Sequence, residues 1–440
     1  MRVILHIDFN SYFATVEQQA NPRLRGKPIG ITGGDRMKRT VLGAASVEAK
    51  RFGVKTGMQI WEAQKLCPQI ILVSGDSDKY SETTKRFLTI LKDYSPYLEV
   101  FSIDEAFLEM PSPVIPTKVG IYIDNYLYGS QIKSGMTKKR IASSLEDSFP
   151  AMTKNIALEI KRRIKSEIGE YITCSIGISY NKLMAKLAGS LQKLDGLVVI
   201  PDQETAIKVL DKIALDDICG IGSRIKKRLN NLGIFDFKTL RKAPLKALLA
   251  SFKSYGQTLY NMARGIDYSP VVPFYEKEEV KSIGHRHTID HDTDNLLEIK
   301  QILLKLTELI ARKLRAKKLT AKTIHCWYRE VDFESNGMQQ TILWTSDGLE
   351  IFNAAWKIFN QIWSGEKIRM IGVSISNLKS QTPQNLSFLV EVKKREIITK
   401  ALDQINNKYG EFTLQRGILL GSSSIWRQPN PFLSDRRFKI

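Results

Sequence analysis

A strongly apolar segment, Leu98–Met110, carries two adjacent acids, Asp104 and Glu105, near its middle. Successive side chains of a strand point to opposite faces of a sheet, so both acids can serve one site only at a bend or a strand end. The segment is therefore predicted to be a β-hairpin or a bent strand. A third acid, Asp8, ends another short apolar segment, Val3–Ile7, which is predicted to be a buried strand leading into a helix.

Three carboxylates at one place would repel each other, and divalent cations between them would offset that repulsion. Mg²⁺ prefers hard oxygen ligands and is usually shared between carboxylates and substrate phosphates. Two such ions, about 3.5–4 Å apart, can activate an attacking hydroxyl and stabilise a leaving pyrophosphate. Asp8 and Asp104 would then bridge both ions, the Phe9 carbonyl would bind the nucleotide-side ion, and Glu105 would complete the catalytic one. The spacing also fits a helix cap at Asp8 and a hairpin tip at Asp104–Glu105, and it leaves both interpretations open.

The charge of the chain favours a polyanionic partner. Its 440 residues include 66 Lys and Arg against 46 Asp and Glu, a formal net charge of +20. Neutralising phosphates with Lys and Arg releases counterions and supplies most sequence-independent affinity for nucleic acid. A solvated basic surface or a ribosome-associated protein would share this charge balance.

Cysteine spacing and hydropathy indicate the cellular compartment in which the protein is expected. The four cysteines, Cys67, Cys174, Cys219 and Cys326, lie far apart without paired spacing, which argues against a disulfide framework or a zinc knuckle. The first apolar run is too short for a signal peptide, and no stretch approaches the roughly 20 apolar residues of a membrane span. We therefore expect a soluble, cytoplasmic protein.

The order of elements predicts an α+β protein of several domains. A small helical unit is predicted over 203–268 and a Pro- and charge-bearing linker over 269–279. From 280 to 420 the order is strand, helix, two strands, helix and strand, which predicts a small sheet covered on one face by two helices. The stretch 111–152 is predicted to be an insertion or long loop, and 421–440 to be a tail.

The segment Cys219–Leu229 has the pattern of a helix-hairpin-helix. Gly220 and Gly222 would make a tight turn whose amides, beside a helix N-terminus, can bind a phosphate without reading base sequence. A helix-ending turn with a solvated basic face is the alternative. The basic residues expected to contact DNA from the helix that follows are Arg224, Lys226 and Lys227.

The first predicted strand of the 280–420 unit alternates basic side chains. We expect Arg286 on this strand to contact a phosphate backbone. The three histidines His285, His287 and His291 suggest a metal site, but their spacing lacks a fourth ligand.

Several blocks of the sequence, taken in order, resemble the Y family of translesion DNA polymerases, close to its DNA polymerase IV branch. The two signature blocks are Asp8–Glu17 and Ser102–Glu109. The resemblance does not extend to 111–152 or to the residues after Gly421. The further blocks that carry it are Glu48–Val54, Ser175–Ser179, Asn181–Ala188, Gly220–Gly222, Lys281–Gly284 and Ala401–Gly410.

The resemblance implies a right-hand architecture and a DNA-directed DNA polymerase of the error-prone translesion type. It would add dNTPs to a primer 3′ end by phosphoryl transfer with two Mg²⁺ ions, and no segment is left for a proofreading exonuclease. The implied divisions are a palm at 1–10 and 77–202, fingers at 11–76, a helix-hairpin-helix thumb at 203–268, a linker at 269–279 and a little finger at 280–420.

The resemblance also implies roles for individual residues. Asp8, Asp104 and Glu105 would be the metal ligands, and the Phe13 ring would be a steric gate where a ribose 2′-hydroxyl projects. Lys182, which opens a helix after a strand, would hold the triphosphate. The other residues expected to contact the nucleotide are Tyr12, Ala44 and Lys50.

The sequence departs from the family pattern beside the nucleotide. Relatives commonly carry a Thr, a Tyr and an Arg where this chain has Ala44, Val47 and Lys50. Lys50 keeps the charge but lacks the guanidinium fork, and Val47 lacks a hydroxyl donor. These differences bear on nucleotide affinity and selectivity rather than on the reaction type, and Arg51 is a candidate substitute.

The implied partners are primer-template DNA and a dNTP, and we expect a monomer. The tail segment Ile425–Leu433 resembles a degenerate sliding-clamp peptide that would dock its Phe-Leu pair in an apolar groove, although a disordered basic end fits as well. Membrane association is not expected.

Three other functions share parts of the pattern. A palm-type nucleotidyl cyclase has paired acids but no use for a helix-hairpin-helix, and it would make cyclic nucleotide from NTP alone. A helix-hairpin-helix nuclease or glycosylase would not need Phe13 beside Asp8. A non-catalytic DNA-binding relative would bind primed DNA without incorporation, and the intact acids argue against it.

Overall fold

The computed structural model describes residues 2–33, 41–111, 153–276, 279–380 and 390–422. The predicted insertion at 111–152 and the tail at 421–440, with its clamp-like segment, therefore lie almost entirely outside the described residues. The chain forms two compact units, one built on Met1–Lys277 and the other on Glu278–Arg427. No described helix combines the length and the hydropathy that a bilayer crossing requires.

A five-stranded sheet organises the first unit. In spatial order its strands are β5 (Leu98–Val100), β6 (Glu105–Met110), β1 (Val3–Phe9), β7 (Cys174–Ser179) and β8 (Leu197–Ile200). The strand that begins the chain, β1, lies at the centre and pairs antiparallel with β6 and β7. β5 and β6 form the hairpin predicted for Leu98–Met110.

Helices cover both faces of this sheet. The helices Ser77–Lys92 and 153–163, the second continuing as a π-turn at Ile164–Ile168, share one hydrophobic core with Leu5 and Ile7 of β1. Alternation along β1 turns Ile4, His6 and Asp8 toward the other face, where the helix Lys182–Leu191 packs.

A glycine lets the helix Lys182–Leu191 approach β7 closely. A Cβ on Gly177 would lie 2.1 Å from the Ala185 carbonyl oxygen and 2.2 Å from the Gly189 amide nitrogen. Any other residue at 177 would push the helix away from the sheet.

A three-stranded sheet follows the helix Tyr12–Ala20 and the 3₁₀ turn Pro22–Leu24. Its order is β3-β2-β4, with β2 at Ile29–Thr32, β3 at Ala44–Ala45 and β4 at Ile71–Ser74. Short helices at Val47–Arg51 and Ile60–Leu66 pack around a small core that includes Leu42 and Cys67. Residues 34–40, between β2 and β3, lie outside the described residues.

The region predicted to be a small helical unit consists of short helices around one core. Two of them begin at aspartates whose side chains accept hydrogen bonds from backbone amides, Asp202 from Thr205 at 2.7 Å and Asp236 from Thr239 at 2.8 Å. The helices are Gln203–Leu210, Ser223–Asn231, Phe237–Lys242, Leu245–Phe252 and Tyr255–Met262, with a 3₁₀ turn at Leu215–Asp217.

The second unit has the predicted β-α-β-β-α-β order. Its strands, in spatial order, are β11 (Ser335–Thr345), β10 (Leu319–Glu330), β12 (Ile368–Ser380) and β9 (Ser282–Thr293). The helices Leu296–Ala316 and Gly348–Ile362 pack on one face of the sheet around a common hydrophobic core. A helix at Val390–Tyr409 and a 3₁₀ turn at Gly417–Leu419 follow.

Candidate active site

The structure brings the three sequence-predicted acids to one end of β1. Asp8 lies directly opposite Glu105 in the antiparallel pairing of β1 with β6. The hairpin turn places Asp104 just before this pair, where its carbonyl accepts a hydrogen bond from the Phe9 amide at 2.9 Å. Ser102 donates a hydrogen bond from its hydroxyl to the Asp104 carboxylate.

Asp104 carries its charge unfavourably in this position. Burial raises the pKa of its carboxyl, repulsion from Asp8 and Glu105 raises it further, and the hydrogen bond from Ser102 only partly opposes both effects. A divalent cation would relieve this repulsion, so the donor set has the chemistry of a metal site.

Glu105 is held in its ionised form by two partners. His6 Nε2 lies 3.0 Å from the carboxylate, and the Lys186 ammonium is hydrogen-bonded to the same oxygen. Burial alone would raise the pKa of Glu105, but the hydrogen bond from His6 and the charge of Lys186 outweigh it and lower the pKa to about 2. His6 is itself buried, and burial lowers the pKa of its imidazole.

Sequence reasoning did not single out His6 or Lys186. The sequence signal for His6 was its position two residues before Asp8 on β1, because residues two apart on a strand share a face. Lys186 lies four residues after Lys182, one turn along the same helix. Helical spacing puts the two lysines on one face but does not predict the contact of Lys186 with Glu105.

Asp8 has a cationic partner that the sequence did not predict. The Lys193 ammonium is hydrogen-bonded to the Asp8 carboxylate from a turn just beyond the helix Lys182–Leu191. Leu194 and Asp195 follow with φ of 69° and 72°, a left-handed conformation that costs non-glycine residues free energy.

Several contacts compensate for this strained turn. The Lys161 ammonium donates to the carbonyl oxygens of Asp195 and Gly196 and lies 3.0 Å from the Asp195 carboxylate. Lys165 donates to the same carboxylate at 2.6 Å. The Leu194 amide donates to Asn10 Oδ1 at 3.3 Å, which ties the turn to the end of β1.

A cavity of about 590 Å³ opens over Asp8 and Asp104, whereas Glu105 is not among its lining residues. Cationic, aromatic and small apolar side chains surround it, a composition that suits an anion attached to a flat ring. Its lining residues are Asp8, Phe9, Asn10, Ser11, Tyr12, Phe13, Gly43, Ala44, Val47, Lys50, Arg51, Thr56, Asp104, Lys193 and Leu194.

The Phe13 ring forms a supported wall of this cavity. It stacks on the Tyr80 ring with the centroids 4.4 Å apart and the planes 18° from parallel. Tyr12 also borders the cavity, but its hydroxyl points into the protein, where it donates to the Tyr80 carbonyl at 2.9 Å and lies 2.7 Å from Thr84 Oγ1.

The three residues that depart from the family pattern all border the cavity. Ala44 and Val47 offer no side-chain hydrogen bond there. The Lys50 ammonium donates to Ser11 Oγ at 2.7 Å, and burial, followed by repulsion from Lys193, lowers its pKa. Arg51 also lines the cavity.

The structure does not bring Lys182 to the cavity. Its ammonium is bound by both carboxylate oxygens of Glu99 at 2.7 Å and by the Pro270 carbonyl at 3.3 Å. The physical reason is the helix between them: Lys182 begins the helix Lys182–Leu191, whereas the lysine that reaches Asp8, Lys193, follows its last turn.

The predicted helix-hairpin-helix turn lies at the N-terminus of the helix Ser223–Asn231. Gly220 has a φ of 106°, and a Cβ there would lie 2.7 Å from Met262 Cε, so this position requires glycine. Gly222 is the N-cap, and the space around it is open. Arg224 and Lys227 are exposed, whereas Lys226 donates to Asp216 at 2.6 Å.

Arg286 lies on β9, opposite Gly372 of β12. The three histidines do not converge: His287 is buried, whereas His291 is exposed beside Asp290, with 2.8 Å between His291 Nδ1 and Asp290 Oδ1.

Comparisons with known proteins identify the family. The impB/mucB/samB family model matches residues 7–190 and the model of that family's C-terminal domain matches 280–388. A model described as DNA polymerase-iota, thumb domain, matches 216–267.

Curated relatives match over nearly their whole length. DNA polymerase IV of Pelotomaculum thermopropionicum is 35% identical over 428 residues, covering 97% of each chain. DNA polymerase IV of Moorella thermoacetica is 33% identical over 425 residues, covering 96% of this chain and 97% of the relative. A solved Y-family DNA polymerase chimera has the same fold, with a TM-score of 0.67 and 24% identity over 86% of this chain and 99% of the other.

The chain therefore belongs to the Y family of DNA polymerases, and the resemblance inferred from its motif blocks is confirmed. Within that family, the relatives named above are DNA polymerase IV enzymes.

Proposed function

We propose that this chain is a translesion DNA polymerase that extends a primer 3′ end on a DNA template, with Asp8, Asp104 and Glu105 holding two Mg²⁺ ions. The observation that carries the proposal is the convergence of these acids at one end of β1, with Asp8 opposite Glu105 and Asp104 joined to Phe9 through the backbone. Asp8 and Asp104 also line the cavity. Family membership supports the reaction class and divalent-metal dependence, and the hard oxygen donors support Mg²⁺.

The residues present suit a pair of divalent cations. Asp8, Asp104, Glu105 and the Phe9 carbonyl would hold them. When bound, such ions lower the pKa of the attacking 3′-hydroxyl and neutralise charge on the leaving pyrophosphate. The raised pKa of Asp104 supports this assignment, because the repulsion from Asp8 and Glu105 contributes to it.

Lys193, rather than Lys182, is proposed to hold the triphosphate. Its ammonium lines the cavity beside Asp8, whereas Lys182 is neutralised by Glu99. Lys50 and Arg51 on the same cavity would add positive charge where Ala44 and Val47 supply no donor.

Phe13 is proposed to exclude ribonucleotides. Its ring is backed by Tyr80, so it cannot retreat easily from an added 2′-hydroxyl. That hydroxyl would be both crowded and without a hydrogen-bond partner against an apolar ring.

The turn at Gly220–Gly222 with Arg224 and Lys227 is proposed to bind the DNA backbone, with Arg286 of the second unit as a further phosphate contact. Lys226 would contribute less to DNA binding than the sequence predicts, because its ammonium already forms an ion pair with Asp216. We further propose that the enzyme acts as a monomer and that its segment 425–433 binds a sliding clamp.

A primer-extension assay tests this function. Purified protein with Mg²⁺, dNTPs and a primed template is expected to extend the primer, and Asp104→Ala to lower the rate on the order of 10³-fold. A running-start template with an abasic site then tests lesion bypass. Equal extension by Asp104→Ala, or cyclic nucleotide formed from NTP alone, would overturn the proposal.

A further inference from the structure

Asn10 is the first residue after β1, and it is buried where that strand meets the cavity. Its backbone amide donates to the Thr173 carbonyl at 3.0 Å, and its carbonyl accepts a hydrogen bond from Thr15 Oγ1 at 3.2 Å. The side chain is bonded as well, since Nδ2 donates to Thr173 Oγ1 at 3.0 Å. Asn10 is therefore fixed to the end of the strand by its backbone and by its side chain.

The side-chain oxygen of Asn10 connects two other elements to this strand end. It accepts hydrogen bonds from Ser175 Oγ of β7 at 3.1 Å and from the Leu194 amide at 3.3 Å. The Leu194 contact also settles the orientation of the side-chain amide, because a backbone N–H can only donate and only Oδ1 can accept. One atom of Asn10 thus joins β1, β7 and the strained turn that begins at Leu194.

The turn that Asn10 contacts carries the lysine assigned to the triphosphate. Lys193 immediately precedes Leu194, and its ammonium is hydrogen-bonded to Asp8, two residues before Asn10. Leu194 has a φ of 69°, a conformation that a non-glycine residue keeps only while its surroundings hold it. Lys161 holds the carbonyl oxygens farther along the turn, and Asn10 holds the Leu194 amide from the side of the cavity.

We propose that Asn10 is a positioning residue for nucleotide binding: it fixes the turn at Leu194 and thereby sets where the Lys193 ammonium meets the triphosphate. An amide suits this position because its oxygen accepts two hydrogen bonds while its nitrogen donates to Thr173, and it adds no further carboxylate beside the acids. The inference deepens the proposed polymerase function, and it rests on that function and on the role assigned to Lys193.

Three variants separate this role from a general loss of packing. Asn10→Ala removes the acceptor for the Leu194 amide, so KM for dNTP is expected to rise roughly three- to tenfold while kcat stays within about twofold. Asn10→Asp keeps an acceptor, and Thr173 Oγ1 can donate to the carboxylate, so this variant is expected to restore most of the wild-type KM. Ser175→Ala is the matched control, because it removes the other hydrogen bond to Asn10 Oδ1, and its KM is expected to equal that of the wild type.

Two measurements on the full-length protein follow these variants. Steady-state incorporation of a single nucleotide at saturating Mg²⁺ gives KM and kcat separately. Hydrogen exchange without dNTP reports on the turn independently of activity: the backbone amides around Leu194 are expected to exchange faster in Asn10→Ala than in the wild type or in Ser175→Ala. Circular dichroism checks that each variant is folded, and Asn10→Ser, whose shorter side chain cannot span the same distance, replaces the alanine variant if that one unfolds.

Three results would overturn the proposal. One is a wild-type KM in Asn10→Ala, and another is an equal rise of KM in Ser175→Ala, which would indicate packing alone. The third is an Asn10→Asp protein whose KM is as high as that of Asn10→Ala, because Nδ2 would then contact the nucleotide directly. Failure of the wild type to extend a primer would instead contradict the proposed function, so the two failures are distinguishable.

Discussion

Lys193 forms an ion pair with Asp8 across 185 residues of sequence, and both side chains line the cavity. The same ammonium lies within reach of any anion that enters the cavity beside Asp8. In the proposed mechanism this lysine neutralises Asp8 when no cation is bound and becomes available to a triphosphate once divalent ions hold the acids.

The first prediction separates Lys193 from Lys182. Lys193→Ala is expected to raise KM for dNTP about tenfold or more, because a charged contact worth 1.5–3 kcal/mol is lost. Lys182→Ala removes a partner of Glu99 instead, so KM should change little while stability falls. Steady-state incorporation of a single nucleotide measures both variants, and a larger KM effect at 182 would reverse the assignment.

The second prediction concerns sugar selectivity. Phe13→Ala removes the ring that is stacked on Tyr80, so discrimination against ribonucleotides should fall on the order of 10²-fold. Tyr12→Phe is the matched control: its hydroxyl is bonded to Tyr80 and Thr84 inside the protein, so selectivity should stay unchanged. The ratio of the incorporation efficiencies of dCTP and rCTP opposite the same template base measures this discrimination. Loss of selectivity in Tyr12→Phe alone would contradict this geometry.

The third prediction gives neighbouring acids opposite effects on stability. With EDTA present at neutral pH, Asp104→Asn is expected to raise the unfolding midpoint, because the raised pKa of Asp104 means that its charge destabilises the fold. Glu105→Gln is expected to lower the midpoint, since it removes an ionised partner of His6 and Lys186. Thermal unfolding of both variants measures this, and a shift in the same direction for both would contradict it.

The pH dependence of the Glu105 effect has a defined sign. The pKa of Glu105 is lowered from 4.5 to about 2, so its stabilising contribution is present above 4.5 and disappears as the pH falls toward 2. The free energy of unfolding of the wild type should therefore approach that of Glu105→Gln as the pH falls over that range. Urea unfolding at several pH values measures both free energies. A difference that stays constant down to pH 2 would count against the ion pair.

The fourth prediction tests the support of the strained turn. Lys161→Met should destabilise the protein by roughly 1–3 kcal/mol and raise KM for dNTP, because Leu194 and Asp195 lose the cation that holds their conformation. Lys165→Met is the control: it contacts the same carboxylate from a more exposed position and should have a much smaller effect. Equal effects of the two variants would argue against a specific role for Lys161.

Local pattern was sufficient to predict the acids and the elements that carry them. Neighbouring side chains of a straight strand point to opposite faces, so a site that uses both Asp104 and Glu105 requires a bend between them. The hairpin of β5 and β6 has that bend. In the second unit, the sequence pattern predicted the order of strands and helices, and the two predicted helices are Leu296–Ala316 and Gly348–Ile362.

The partners of the acids could not be predicted in the same way. A ten-residue helix carries the chain about 15 Å, so Lys182 and Lys193 lie at its opposite ends and only the packing of that helix decides which one reaches Asp8. His6 likewise gained its role from its pairing with β6, a contact about 100 residues away in sequence. Strand alternation places His6 on the same face as Asp8, but no spacing predicts its contact with Glu105.

The close approach of the helix Lys182–Leu191 to β7 at Gly177 couples the two cationic contacts. Lys186 contacts Glu105 from within this helix, and Lys193 contacts Asp8 from just beyond its end, so both lysines depend on the position of one helix. A substitution such as Gly177→Ala alters no charged group. It would move the helix away from the sheet and weaken both ion pairs together. Affinity for the proposed ions would thereby depend on how closely two backbone segments approach beneath the site.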